Sequence, residues 1–289
     1  MSDWIQAARP ATLWAGVAPV LVASALAAYE SAFRWDAFVA ALIGSVLIQV
    51  GVNYANDLAD AARGADTADR IGPRRAVATG TISARTMRNA MIAVFVAAGG
   101  VGVYLIAIAG WPVAVIGVVS IVAALGYTNG PVPYGYRGLG EVFVFVFFGL
   151  VATVGTRFVH DRTVTASSWW LAIVMGFLVT AILVANNIRD IDTDAATGKR
   201  TLAVVLGRRR TRAFFVGLIV AAYVALIAGL IGPLPAWAGL GLATIPLAVA
   251  PTRTVLTRTD GPGLITALAG TARLQLAVAA TVSLGLLLA

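Results

Sequence analysis

The chain has 289 residues, 60% of them hydrophobic and only 12% charged, with a mean hydropathy of +0.88. No soluble domain needs that much apolar surface, so the composition excludes one and indicates an all-α, polytopic membrane protein. The net charge of +8 requires no nucleic-acid partner, and the absence of cysteine excludes disulfides and thiolate metal sites.

A span needs about 20 apolar residues. With Gly, Pro and charge clusters as breaks, the sequence predicts nine spans, at 11–29, 37–56, 88–109, 111–128, 139–159, 168–187, 212–231, 235–252 and 264–288. They read as one transmembrane domain over residues 1–289. Arg9-Pro-Ala-Thr-Leu13 opens the first, with Pro10 near a helix-start position and Arg9 as an interface anchor. Ala23-Ser-Ala25 resembles a signal cleavage site, but the polar start from Trp4 to Pro10 and eight further spans argue for a retained first helix.

The second span runs into a charged segment, Asn53 to Arg75, that carries Asp57, Asp60, Asp66 and Asp69. Continued as a helix, it places Asn53, Asn56, Asp57, Asp60 and Gly64 on one stripe. The next stretch, Ala78 to Ser83, reads as a loop with Ser83 as an N-cap, and Arg85 and Arg88 as interface anchors. Gly110-Trp-Pro112 makes the third and fourth spans a tight hairpin.

A polar block, Tyr127 to Glu141, follows the fourth span and holds three tyrosines with Asn129 and Arg137. Glu141 would enter the fifth span, where an ionisable group is a functional candidate. It reads either as a base or orienting carboxylate, or as the partner of Arg137 in a structural ion pair. The Phe-rich run from Val142 faces lipid and helices or lines a groove for an isoprenoid tail. His160 reads as an outer loop residue without a catalytic role.

The sixth span ends in a second charged segment, Asn186 to Thr201, with Asp190, Asp192 and Asp194. Asn186, Asn187, Asp190 and Asp194 follow the same helical spacing. Carboxylates crowded on one stripe near a membrane repel each other and lose hydration, an arrangement that makes sense around a cation. Asp and Asn oxygens suit Mg²⁺, which shares its shell with substrate phosphates. Arg63, Arg70, Arg74 and Arg75 in one segment, and Arg189, Lys199 and Arg200 in the other, supply donors for a polyanion. One charged loop between spans is ordinarily a solvated loop; two that each open with paired Asn and Asp are not.

Arg208 to Arg212 starts the seventh span as a topology and lipid-contact signal, and Arg273 either pairs with a neighbouring helix or snorkels. With the N-terminus inside, only Arg34, Arg157 and Arg162 fall outside. Both aspartate segments then face the cytoplasm, in a multi-pass protein of the cell (inner) membrane in contact with its lipids.

Asn56-Asp-x-x-Asp60 and Asp190-x-x-x-Asp194, each after a span of a nine-helix protein, resemble the two motifs of the UbiA superfamily of intramembrane prenyltransferases. The usual third carboxylate of the first motif is Gly64 here, leaving Asp66 or Asp69 as its replacement. Four stretches resemble the branch that prenylates 1,4-dihydroxy-2-naphthoate: Asp69 to Arg75, Pro133 to Glu141, Asn186 to Asp190 and Gly198 to Gly207. The resemblance runs from Arg9 to about Gly207. It implies a central chamber open to the cytoplasmic side, in which Asp57, Asp60, Asp66, Asp69, Asp190 and Asp194 hold Mg²⁺ on a polyprenyl diphosphate. Asn53, Asn56 and Asn187 would assist, and Arg70, Arg74, Arg75, Lys199 and Arg200 would take up charge as diphosphate departs. The dihydroxynaphthoate ring would attack the allylic cation and lose CO2, giving demethylmenaquinone. Arg137, Glu141 and Tyr134 or Tyr136 are the implied acceptor contacts. Another acceptor for the same chemistry is the nearer rival. An ion transporter is disfavoured, because its carboxylates would sit at the midplane between repeated halves.

Overall fold

A computed structural model describes residues 3–63, 75–128 and 133–289 of the chain. Gly64, Asp66, Asp69, Arg70, Arg74 and Asn129 lie outside the described residues. Among those described, eight helices are long and apolar enough to cross a membrane, and Trp111–Gly126 is a shorter apolar ninth. In order the spans are Pro10–Tyr29, Trp35–Ala62, Ala84–Ala109, Trp111–Gly126, Gly140–Asp161, Ala166–Arg189, Leu202–Ile231, Ala236–Thr257 and Gly261–Leu288. A short helix, Asp3–Ala8, precedes the first, and another, Ile191–Ala196, follows the sixth.

The sixth span organises the bundle. It is apolar on all faces, as a helix surrounded by others must be. Leu171, Met175, Leu178, Ala181 and Ile188 are buried in a core shared with the seventh span (Phe215, Leu226) and the ninth (Leu264, Leu274, Leu286). Its contact with the fifth span is closest at Gly149, where a Cβ would collide with the backbone of Gly176. Without side chains at these positions the two backbones approach directly, the small-residue packing that membrane helices use in place of a hydrophobic drive. The fifth span widens there into a π-helical segment, Phe145–Val151. Such segments are frequent at functional sites.

Local signals explain the joints. Gly110 (φ 90°) lies between the third and fourth spans, and its N–H caps the Ile106 carbonyl at 2.7 Å. Ser83 Oγ accepts from the Thr86 N–H at 3.1 Å, the cap expected of it.

Three expectations need correction. The second span continues to Ala62, past the expected end at 56, because its polar residues face the protein interior. The seventh is preceded by a short helical segment from Leu202 and kinks at Gly207, whose backbone is non-helical (φ 75°), so its longer part opens at Arg208, close to the expected start. Arg208 is bonded to the Ile188 carbonyl at 3.1 Å and to Asp192 at 2.8 Å.

The third correction concerns the outer side. His160 is not a loop residue; like Arg157 it lies in the fifth span, and both are buried, Arg157 at 2% exposure. Arg157 bridges Glu30 and Asp161, and His160 Nδ1 accepts from the Arg34 N–H at 3.0 Å while Nε2 meets Ser24 Oγ at 3.1 Å. These pairs tie the ends of three segments together where burial would otherwise leave charges unpaired. Arg273, by contrast, is exposed, consistent with the snorkelling alternative.

Candidate active site

One continuous helix, Trp35–Ala62, carries the first motif, so Asn53, Asn56, Asp57 and Asp60 stack on a buried stripe. Each has a defined partner. Asn53 Nδ2 donates to the Ala8 carbonyl at 2.8 Å and to Thr12 Oγ1 at 3.2 Å. Asn56 Oδ1 accepts from Thr128 Oγ1 at 2.8 Å. The two oxygens of Asp57 accept the N–H groups of Ala76 (3.2 Å) and Val77 (3.1 Å), which folds the returning chain over the helix end. Asp60 takes Arg75 Nη2 at 2.6 Å on one oxygen and the Tyr136 hydroxyl at 3.0 Å on the other.

The second motif spans a helix break. The sixth span ends at Arg189, Asp190 caps it, and Ile191–Ala196 restarts the helix, with the Asp194 N–H returning to the Asp190 carbonyl at 2.7 Å. Arg189 grips Asp190 through Nε (2.7 Å) and Nη2 (2.6 Å), and Asn186 Oδ1 through the same Nη2 (2.9 Å). Gly198, at φ 75°, turns the chain so that Lys199 Nζ comes to 3.3 Å from Asp194 Oδ1. The other oxygen, Asp194 Oδ2, is buried without a hydrogen-bond partner. Burial pushes the Asp194 carboxyl up to about 6, with Lys199 opposing and Asp190 adding to the rise.

Both motifs line one cavity of about 740 Å³. Its polar end is formed by Asn53, Asn56, Asp57, Asp60 and Arg75 on one side and Asn186, Asn187, Arg189, Asp190, Asp194 and Lys199 on the other. From there it continues between apolar walls, including Phe143, Phe147 and Phe148, as far as Ala41, Val113 and Val159. Asp60 and Ala41 share a helix, and at 1.5 Å per residue the chamber follows it for about 28 Å.

The polar turn Tyr134–Arg137 joins the motifs. Besides the Tyr136–Asp60 bond, Arg63 and Lys199 lie over the Tyr136 ring at 4.9 and 5.4 Å, and the Arg200 N–H donates to the Tyr136 carbonyl at 3.2 Å. Tyr134 lines the cavity and stacks on Phe143 at 3.7 Å between centroids. Burial raises the hydroxyls of Tyr127, Tyr134 and Tyr136 above the ordinary tyrosine range, which keeps them protonated donors.

Some expected residues stand elsewhere. Arg137 is exposed and does not line the cavity, and the Arg200 side chain is also exposed. Glu141 is buried at 4% exposure, but it bonds Asn187 (2.9 Å) instead of Arg137, which removes the ion-pair alternative. Several lining residues had no role in the sequence reading: Gln6, Thr12, Gln49 and Thr128. Gln49 lies one turn before Asn53 and extends the same stripe, so the 3.6-residue period was the available signal.

Among the described residues, no three carboxylates or histidines already stand together as a metal-ligand group. Each aspartate instead holds a cation or backbone amides of the protein. The donor set still fits a hard divalent ion: oxygens only, from two facing motifs, with Asp194 Oδ2 buried and unpartnered.

Comparison with known proteins agrees with this geometry. The chain is 39% identical over 264 residues (91% of it, 88% of the relative) to the 1,4-dihydroxy-2-naphthoate octaprenyltransferase of Mycobacterium leprae. It is 40% identical over 250 residues (86% and 84%) to the Mycobacterium tuberculosis protein of the same name. Its fold matches that of a UbiA homologue from Archaeoglobus fulgidus solved with GPP and Mg²⁺, with a TM-score of 0.66 at 14% identity, covering 98% of this chain and 100% of that one. Residues 16–269 match the UbiA prenyltransferase family, and the chain belongs to that family.

Proposed function

We propose that this chain transfers a polyprenyl group from polyprenyl diphosphate to 1,4-dihydroxy-2-naphthoate, with loss of CO2 and diphosphate, giving demethylmenaquinone. The acceptor follows from relatives of that name over most of the chain's length. The observation that carries the chemistry is the cavity itself, with two aspartate motifs and their cations at one end and an apolar channel leading away.

The residues present divide the work. Mg²⁺, held by Asp57, Asp60, Asp190 and Asp194 with Asn53, Asn56 and Asn187, would neutralise the diphosphate and favour its departure. Arg75 and Lys199, which rest on Asp60 and Asp194, are donors for the diphosphate oxygens. The phenyl rings along the fifth span exclude water from the allylic cation and accommodate the tail. Tyr134, which lines the cavity, would contact the acceptor, and Arg137, being exposed, is left out of that role. The loop distribution of Lys and Arg supports a cytoplasmic N-terminus and active site.

The test is a purified-protein assay with Mg²⁺, geranylgeranyl diphosphate and 1,4-dihydroxy-2-naphthoate, following the lipid product by mass. A Mg²⁺-dependent demethylmenaquinone peak is expected. Product with a different aromatic acceptor only would overturn the acceptor, and no transfer to any acceptor would overturn the activity.

A further inference from the structure

Among the described residues, Glu141 is a buried carboxylate that stands beside the site without lining it. It starts the fifth span behind the cavity wall, and its Oε1 accepts from Asn187 Nδ2 at 2.9 Å. Oε2 is buried with no hydrogen-bond partner. Asn187 is 3% exposed and does line the cavity, three residues before Asp190. A carboxylate has no N–H to offer, so it dictates which way the amide stands: the NH2 end must meet Glu141. The remaining end of Asn187, its carbonyl oxygen, is thereby the end left for the cavity. Facing any donor at that position, the amide would turn over and present NH2 groups to a site built from oxygens.

We propose that Glu141 is a positioning residue, which fixes the flip state of Asn187 so that Oδ1 serves as an oxygen ligand toward the metal–diphosphate. This rests on the proposed prenyl transfer and gives Glu141 a task distinct from a base. It has the form of the outer-layer carboxylates that orient metal-ligating histidines, whose loss costs about 10- to 100-fold in metal affinity.

Substitutions can invert the pattern. Glu141→Gln keeps size and shape but can donate to Asn187 and release its orientation. Asn187→Asp alone sets two carboxylates against each other. The double variant restores a donor–acceptor pair, with the new amide at position 141 donating and an oxygen at position 187 again facing the cavity. The experiment uses the full-length protein in detergent. It measures Mn²⁺ affinity by electron paramagnetic resonance with geranylgeranyl thiolodiphosphate bound, together with KM for donor and kcat, and checks each variant by melting temperature.

Glu141→Gln is expected to weaken Mn²⁺ binding about tenfold or more and to act mainly on KM. Asn187→Asp should be impaired as well, and the double variant should recover to within about threefold of the native protein. Native-like binding in Glu141→Gln overturns the proposal. So does a double variant no better than either single, which would assign Glu141 a direct role. Should Glu141→Gln fail to fold, the rescue of Asn187→Asp by the second substitution still decides. If the native protein itself binds no Mn²⁺–donor pair, the prenyl-transfer reading fails instead.

Discussion

Asp194 gives a prediction with opposite signs for stability and function. Its carboxyl rises from 3.8 to about 6 because burial disfavours the charged form, and Oδ2 has no partner. A folded-state value above the unfolded one means that the native protein binds this proton more tightly. The fold is therefore fully favoured below the unfolded value, loses stability as pH rises through the window from 3.8 to about 6, and stays weakened above it. Two pKa units correspond to about 3 kcal/mol. At neutral pH the metal-free protein thus carries a strained anion that Lys199, 3.3 Å away, only partly relieves. Asp194→Asn removes that charge. In EDTA at pH 7.5 the variant should melt several degrees above the native protein, at about 2–4 °C per kcal/mol for a chain of this length. At pH 5, inside that window, about half of the gap should remain, and the two should converge only below pH 3.8. Function runs the other way: a ligand carboxylate must lose its proton, so apparent Mg²⁺ affinity should fall up to about tenfold per unit below pH 6, and the variant should lose metal binding. Melting curves at both pH values, with and without Mg²⁺, decide the matter. Equal melting temperatures at pH 7.5 would refute the reasoning.

Three further outcomes follow from the same contacts. Asp60→Asn and Asp190→Asn should each abolish turnover while the protein stays monodisperse on size exclusion; near-native activity in either would remove that residue from the metal set. Lys199→Met should raise KM for the donor about 10- to 100-fold with a smaller effect on KM for the acceptor, as expected for a lost charge-assisted hydrogen bond of about 1.5–3 kcal/mol; equal changes in both would point to general disruption. Gly176→Val would place side-chain atoms against Phe145, whose ring already lies 2.8 Å from an ideal Cβ, and overpacking of that kind costs about 1–3 kcal/mol. A melting temperature unchanged in that variant would show that the fifth and sixth spans separate easily.

What was legible in the sequence had a short period. The stripe Asn53, Asn56, Asp57, Asp60 repeats with the helix, and the structure stacks it as spaced. Span ends were less legible, because polarity was read as the end of the apolar layer. Asp57 and Asp60 face an internal cavity and their segment stays helical; Arg208 opens its helix as expected, but a further helical segment precedes the kink at Gly207. His160 was misread for a different reason. Its partners, Ser24 and Arg34, lie more than a hundred residues away in the chain, so no local pattern announces the pairing. In the tyrosine-rich turn the composition marked a site, yet successive side chains of a tight turn diverge. Tyr136 reaches Asp60, while its neighbour Arg137 points to solvent.

The internal pairing of the site explains how so many charges survive in an apolar protein. Left alone, Asp60, Asp190 and Asp194 would each suffer the desolvation that low-dielectric surroundings impose. Arg75, Arg189 and Lys199 offset it, so the site carries its own counter-ions. The same arrangement suits a substrate that brings charges of both signs. Aspartates turning to a cation would release their arginine and lysine partners to meet phosphate oxygens. Opposite charges would then be exchanged without leaving a group buried and unpaired, which is the costly outcome. Asp57 stands apart, with its two oxygens held by the backbone N–H groups of Ala76 and Val77. Backbone amides cannot swing away as an arginine can, so Asp57 would stay fixed in any such exchange of partners by the other three carboxylates.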